Sequence, residues 1–261
     1  MQRRQITRAS CGLLQRIQPS AAVSAVWRSR SVVIARLALQ SYFRSGWLWG
    51  ECAYVIVVYA VFFGVFAVSM DTFFGIAHYS MWALAVLGTT ILFRRATTAR
   101  AYLHLAWLPS RAAYVRGHAV AAGVLRIPLF ALLLLLTLGT GKLLHPTAGW
   151  LLLGSLGAVM NCLVIVALAI ALCPPIATRV EQIGFLAWLV AAVYSYTGGP
   201  LAPVLALLRL PLLPFGASYN FSVTGVLDWT GAVSLVIEVL YIAGLIWLAE
   251  SRMARRDLAL Q

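Results

Sequence analysis

From residue 47 onward the chain alternates long apolar runs with short segments in which arginines collect. A bilayer core of about 30 Å needs ~20 apolar residues in a helix. Six runs meet or approach that length: 47–69, 79–93, about 118–138, 148–172, about 182–196 and 229–249. The second reaches full length only by borrowing His78 and its neighbours. Trp47, Trp49, Trp82, Trp150, Trp229 and Trp247 fall close to run ends, where the amphipathic indole favours the membrane interface. The pattern predicts an all-α integral membrane protein with six transmembrane helices.

Composition agrees. Hydrophobic residues make up 62% of the 261 and charged ones 10%, against roughly 25% charged in soluble domains. Mean hydropathy is +0.90. Twenty Lys+Arg face seven Asp+Glu, a formal net charge of +13. In a soluble chain that excess would suggest nucleic acid. Here cytoplasmic flanks of spans collect Lys and Arg, so the expected partner is the lipid bilayer and not nucleic acid. Arginines from Arg3 to Arg44 precede the first run, Arg94, Arg95, Arg100, Arg111 and Arg116 follow the second, Arg179 follows the fourth, and Arg252, Arg255 and Arg256 follow the sixth. The alternate connections hold only Lys142 and Arg209. Both termini are therefore expected in the cytoplasm.

Several stretches depart from simple spans. Residues 1–46 contain no acidic side chain. Residues 1–30 read as a basic, disordered arm attracted to anionic headgroups, and 31–261 as the transmembrane domain. An Arg-rich, acid-free start also fits a mitochondrial transit peptide, though nothing from Glu51 onward demands an organelle. In "SVVIARLALQSYFRSG", Val33, Leu37 and Gln40 to Phe43 can share a helical face with Arg36 and Arg44 elsewhere, predicting an interfacial helix that turns into the first span at Gly46. After residue 196, Pro200, Pro203, Pro211 and Pro214 interrupt a greasy stretch. Proline breaks the helical ladder, and lipid tolerates irregular backbone only where protein covers it. Two short helices dipping back from the outer surface are expected; a kinked extra span would move the C-terminal arginines outside.

Charges inside the runs are costly, ~2.5 kcal/mol or more at the bilayer centre. Glu51 is expected to reach Arg44 or the interface, and Arg126 to snorkel toward the cytoplasm. Glu238, midway along the last run, reads as lining a pathway, pairing with a partner subunit, or making a helix–helix hydrogen bond.

No catalytic chemistry is visible. "GTGK" at 139–142 lacks the Ser/Thr of a phosphate loop, since Leu143 follows. His78, His104, His118 and His145 are scattered, and no HExxH, GxSxG or paired-carboxylate arrangement occurs. Cys11, Cys52, Cys162 and Cys173 form no CxxC, so neither a disulfide framework nor a metal site is expected. The chain reads as neither an enzyme nor a cofactor protein. The remaining feature is cytoplasmic: "ARAYLHLAWL" from Ala99 places Leu103, Trp107 and Leu108 on one helical side and Arg100 and His104 on another, and Pro109 ends it. Such a helix can rest on headgroups or dock into a protein groove.

"YLHLAWLPSRAAYVRGHAVA" resembles the segment after the second span of ABC-2-type ABC transporter permeases: a short leucine-rich helix, Pro-Ser-Arg, then a Gly-His pair leading into the third span. "RLALQSYFRSG" is similar to that family's elbow helix, the Pro-rich stretch to its re-entrant hairpin, and "LAESRMARRDLAL" to its ending. The likeness covers about residues 30–260. One departure is that Thr97, Thr98 and Arg100 stand where the family has an acidic residue before the leucines.

The resemblance implies an elbow helix, a cytoplasmic coupling helix between spans 2 and 3, and a re-entrant hairpin between spans 5 and 6. It implies a homodimer or heterodimer of permease subunits in the bacterial cytoplasmic (inner) membrane, driven by separate ATP-binding-cassette ATPase subunits and mostly exporting. Tyr102, Leu103, Leu105, Trp107, Leu108, Pro109 and Arg111 would contact the ATPase, with Arg116 and Gly117 passing the push to the third span; Glu238 is the candidate pathway or intersubunit residue. The rival class is an ion-coupled secondary transporter or channel, for which inverted repeats between 47–138 and 148–249 are not evident.

Overall fold

The computed structural model describes residues 30–96, 111–174, 176–194 and 206–255. Every regular element among them is helical.

α1 (Arg30–Arg44) and α2 (Trp47–Phe62) meet at a 72° bend. Gly46 makes it possible, with φ +76°, a left-handed conformation that other residues adopt at a cost. The Ser45 hydroxyl donates to the Tyr42 carbonyl at 2.6 Å and closes the preceding turn. α1 lies against α4 through Ile34, Ala35, Ala38 and Tyr42, while Val33, Leu37, Gln40 and Phe43 are exposed. Of the expected apolar face Tyr42 docks on α4, while Val33, Leu37, Gln40 and Phe43 face outward, where an interfacial helix needs them. The approach is close: a Cβ on Gly117 would lie 2.6 Å from Ile34 Cγ2 and 2.8 Å from the Ser31 carbonyl.

The run 47–69 is not one helix. α2 stops at Phe62, and residues 63–69 turn back to meet the connection at 140–147. Val68 N–H donates to the Lys142 carbonyl at 2.8 Å, and Leu144 N–H to the Val68 carbonyl at 2.9 Å. α3 (Met70–Ala96) starts nine residues ahead of the expected 79. α4 (Arg111–Gly139) carries Pro128 within it. α5 (Ala148–Leu172) has the expected bounds.

α6 (Arg179–Tyr194) opens on a reciprocal cap. Glu181 accepts from Thr178 N–H at 2.7 Å, and Glu181 N–H donates to Thr178 Oγ1 at 3.3 Å. A 3₁₀ helix (Ala206–Leu212) then runs directly into α7 (Leu213–Thr224), with Pro214 in its first turn. Short helical segments thus occupy the described part of the Pro-rich stretch, the 3₁₀ turn continuing into α7. α8 (Trp229–Arg255) starts after Asp228, which accepts Gly231 N–H at 2.7 Å.

α3, α4, α5 and α8 are long and apolar enough to cross a membrane; the bent pair α1–α2 brings the number to five if counted as one span. At 1.5 Å per residue, α6 covers about 24 Å with its 16 residues, short of the ~30 Å core. Among the described residues helix length thus gives four spans, or five, where six are expected. α5 is the centre, packed against α3, α4, α7 and α8. α8 buries a narrow stripe, Gly231, Ser234, Glu238, Ala249 and Met253, and leaves Val236, Val239, Leu240 and Trp247 exposed. The arginines of several elements gather at one end: Arg116 Nε pairs with Glu250 Oε1 at 2.7 Å, and Arg252 Nη1 with Glu181 Oε1 at 2.7 Å. Arg44 and Arg95 line one pocket there.

Candidate functional site: two buried polar clusters

The first cluster joins α1, α2, α3 and α4. Arg126 Nη2 lies 2.6 Å from Glu51 Oε1, and Nη1 donates to the Leu84 carbonyl at 3.0 Å. The two side chains are 3% and 7% exposed, so neither charge meets bulk solvent. Both expectations for these residues are corrected: Arg126 does not snorkel, and Glu51 pairs with it and not with Arg44. The physical reason is that an opposite charge on a neighbouring helix satisfies each group without a route to the surface. Gly88 of α3 supplies the room, since a Cβ there would stand 1.9 Å from Glu51 Oε1. The Tyr42 hydroxyl of α1 faces both charges without hydrogen-bond geometry to either. Glu51 Oε2 and Arg126 Nε have no partner among the described residues.

The second cluster joins α5, α7 and α8 around residues 0% exposed: Asn161, Ser218 and Glu238. Ser218 Oγ lies within hydrogen-bond reach of Glu238 Oε1 and of the Pro214 carbonyl, the latter at 2.9 Å, and Asn161 Nδ2 donates to Ser218 Oγ at 3.3 Å. One turn along, Ser222 Oγ donates to the Gly154 carbonyl at 2.6 Å, and Trp150 Nε1 to the Ser222 carbonyl at 3.1 Å. α7 is thereby held to α5 by polar rungs, which suit a low-dielectric setting better than apolar contact alone. Beside them the buried His78 donates from Nδ1 to the Phe74 carbonyl at 2.7 Å, its ring 5.2 Å from that of Tyr219.

The remaining candidates divide. Tyr102, Leu103, Leu105, Trp107, Leu108 and Pro109 lie outside the described residues. Arg111 is the first residue of α4. Arg116 holds Glu250, Gly117 receives α1, and the His118 ring donates from Nδ1 to the Tyr114 carbonyl at 2.9 Å. The "GTGK" residues serve a turn: Lys142 Nζ donates to the Val65 carbonyl at 3.2 Å, and the Tyr59 hydroxyl bonds to Thr140 Oγ1 at 2.9 Å. Among the described residues no three His, Cys, Asp or Glu gather as metal ligands. Ser218 and Asn161 went unread in the sequence. Their available signal was spacing: Ser218 and Ser222 are one helical turn apart, as are Gly154, Gly157 and Asn161 on the facing helix.

Outside the apolar helices, two carboxylates are tuned by their caps. Hydrogen bonds from the Thr230 hydroxyl and Gly231 N–H hold Asp228 below the usual carboxylate range. The backbone N–H and hydroxyl of Thr178 do the same for Glu181, with Arg252 adding to them. No family model matches the chain, and no curated protein or solved structure matches it.

Proposed function

We propose that the chain is the permease subunit of an ABC-2-type ABC transporter, an exporter whose translocation path forms between two such subunits. A separate ATP-binding-cassette ATPase subunit docks on residues 99–111 and drives it. The observation that carries this reading is the order of elements. A helix laid against α4 bends 72° into α2. Residues 97–110 then connect α3 to α4 along the chain. Finally α7, entered from a 3₁₀ turn, packs on α5 just ahead of the last long helix. This is the sequence of parts that the resemblance implies. The arginine-rich end faces the cytoplasm of a bacterial inner membrane by the positive-inside bias.

The test is co-purification of the chain with an ATP-binding-cassette ATPase subunit. Replacing Leu105, Trp107 and Leu108 by serine is expected to abolish association and transport; unchanged association would end the assignment of 99–111 as the coupling segment. The buried Glu238 favours a second reading, an ion-coupled secondary transporter. That reading requires transport by the chain without any ATPase subunit.

A further inference from the structure

Around Glu238, hydrogen-bond acceptors outnumber donors. Ser218 has one hydroxyl hydrogen and two acceptors within reach, the Pro214 carbonyl and Glu238 Oε1. Asn161 Nδ2–H already occupies one lone pair of Ser218 Oγ. Glu238 Oε2 and Asn161 Oδ1 have no donor among the described residues. An ionised Glu238 would compete with Pro214 for a single hydrogen and carry a full charge at 0% exposure.

Among the described residues, the elements that pack here set no counter-charge beside Glu238. α5 contains no Asp, Glu, Lys, Arg or His; its neighbouring titratable group is Cys162. α7 offers only Tyr219, stacked against His78 and Tyr79. On α4, Arg126 is held by Glu51 and the Leu84 carbonyl, and Arg111, Tyr114, Arg116 and His118 lie toward the arginine-rich end. On α8 itself Tyr241 stacks near Phe215, and Glu250, Arg252 and Arg255 stand twelve or more residues away, ~18 Å along the helix.

One hydrogen resolves the conflict. If Glu238 carries it, its O–H donates to Ser218 Oγ and Ser218 donates to the Pro214 carbonyl. Asn161 takes the second lone pair of Ser218, leaving that hydroxyl fully used. We propose that Glu238, Ser218 and Asn161 form a proton-binding site, in which Glu238 is held as the neutral acid and the bound proton keeps α7 seated on α8. Loss of the proton leaves a carboxylate that needs water or a cation, and α7 must part from α8 to admit it. The site stands independently of any ATPase partner.

Infrared spectroscopy of the full chain in lipid nanodiscs reads the protonation directly. At pH 7 the spectrum is expected to contain the carbonyl stretch of a neutral carboxylic acid, absent in Glu238→Gln and shifted in Ser218→Ala, which removes its acceptor. A pH 7 spectrum without a Glu238-dependent acid band overturns the proposal. So does a carboxylate band accompanied by a Glu238-dependent rise in melting temperature with sodium or potassium, because the site would then hold a metal cation. Glu238→Gln keeps the size and the donor, so its melting temperature is expected to match wild type at pH 7. Raising the pH is then expected to lower the melting temperature of wild type and not of the variant, and parallel curves would refute the role of the proton. If Glu238→Gln does not fold, the Ser218→Ala band shift still decides.

Discussion

Breaking the Glu51–Arg126 pair should be among the most damaging single changes in this chain. In Glu51→Gln the guanidinium of Arg126, 3% exposed, keeps one carbonyl and loses its only carboxylate. In Arg126→Gln the carboxylate of Glu51 loses its cation and retains no described donor in exchange. Removing one member of a buried pair costs about 3–5 kcal/mol; a charged side chain at mid-membrane alone costs ~2.5–3.5 kcal/mol on insertion scales, which sets a similar floor. Replacing both by apolar groups of like volume, Glu51→Leu with Arg126→Met, removes both desolvation penalties. That change is expected to be neutral, or stabilising by about 1–4 kcal/mol. Equilibrium unfolding of the full chain in lipid nanodiscs measures all four proteins. The double variant should be more stable than either single one, a strongly non-additive cycle. Single losses under ~1 kcal/mol, or a double variant whose loss equals the sum of the singles, would show that the two charges are solvated and would refute the reasoning.

Gly88→Ala drives a methyl to 1.9 Å from Glu51 Oε1 and 2.6 Å from Arg126 Nη2, so it should separate the pair and approach the cost of a single break in the same unfolding assay. Gly117→Leu places a side chain where Ile34 and the Ser31 carbonyl stand. Lifting α1 from α4 should cost about 1–3 kcal/mol and speed proteolysis within α1. Asp228 is held below its ordinary value, so its stabilising contribution is complete above the unfolded value of about 3.9. It is lost as pH falls below that. Melting curves across this acid range should fall more steeply for wild type than for Asp228→Ala, and Glu181→Ala should flatten the same limb.

Helix existence was legible where hydropathy and breakers agreed. α5 ends where expected because Pro146 and Pro174 flank an uninterrupted apolar run. The run 47–69 misled because hydropathy does not register a chain reversal whose backbone groups bond to another connection, as those of Val68 do. α6 began three residues ahead of the expectation, although Thr178 and Glu181 carry the spacing of a capping box. Side-chain partners were less visible. Glu51 and Arg126 are separated by 75 residues, and which of several arginines Glu51 meets is decided by how α2, α3 and α4 pack. Glu238 stood out by its burial cost, but its partners are small polar residues of a kind that also occur at unremarkable positions in apolar helices.

The junction between residues 63–69 and 140–147 has a mechanical consequence. Two backbone bonds at Val68, the Lys142–Val65 contact and the Tyr59–Thr140 bond fasten the α2–α3 turn to the α4–α5 turn. Two hairpins clipped at their tips can rotate about the clip but not slide there. α3 and α4 are 27 and 29 residues long, about 40 Å at 1.5 Å per residue. A 5° tilt about the clip therefore moves their far ends by about 3.5 Å over that length, at the point where residues 97–110 connect them. A tilt about the clip is therefore amplified at the arginine-rich end and suppressed at the clipped one.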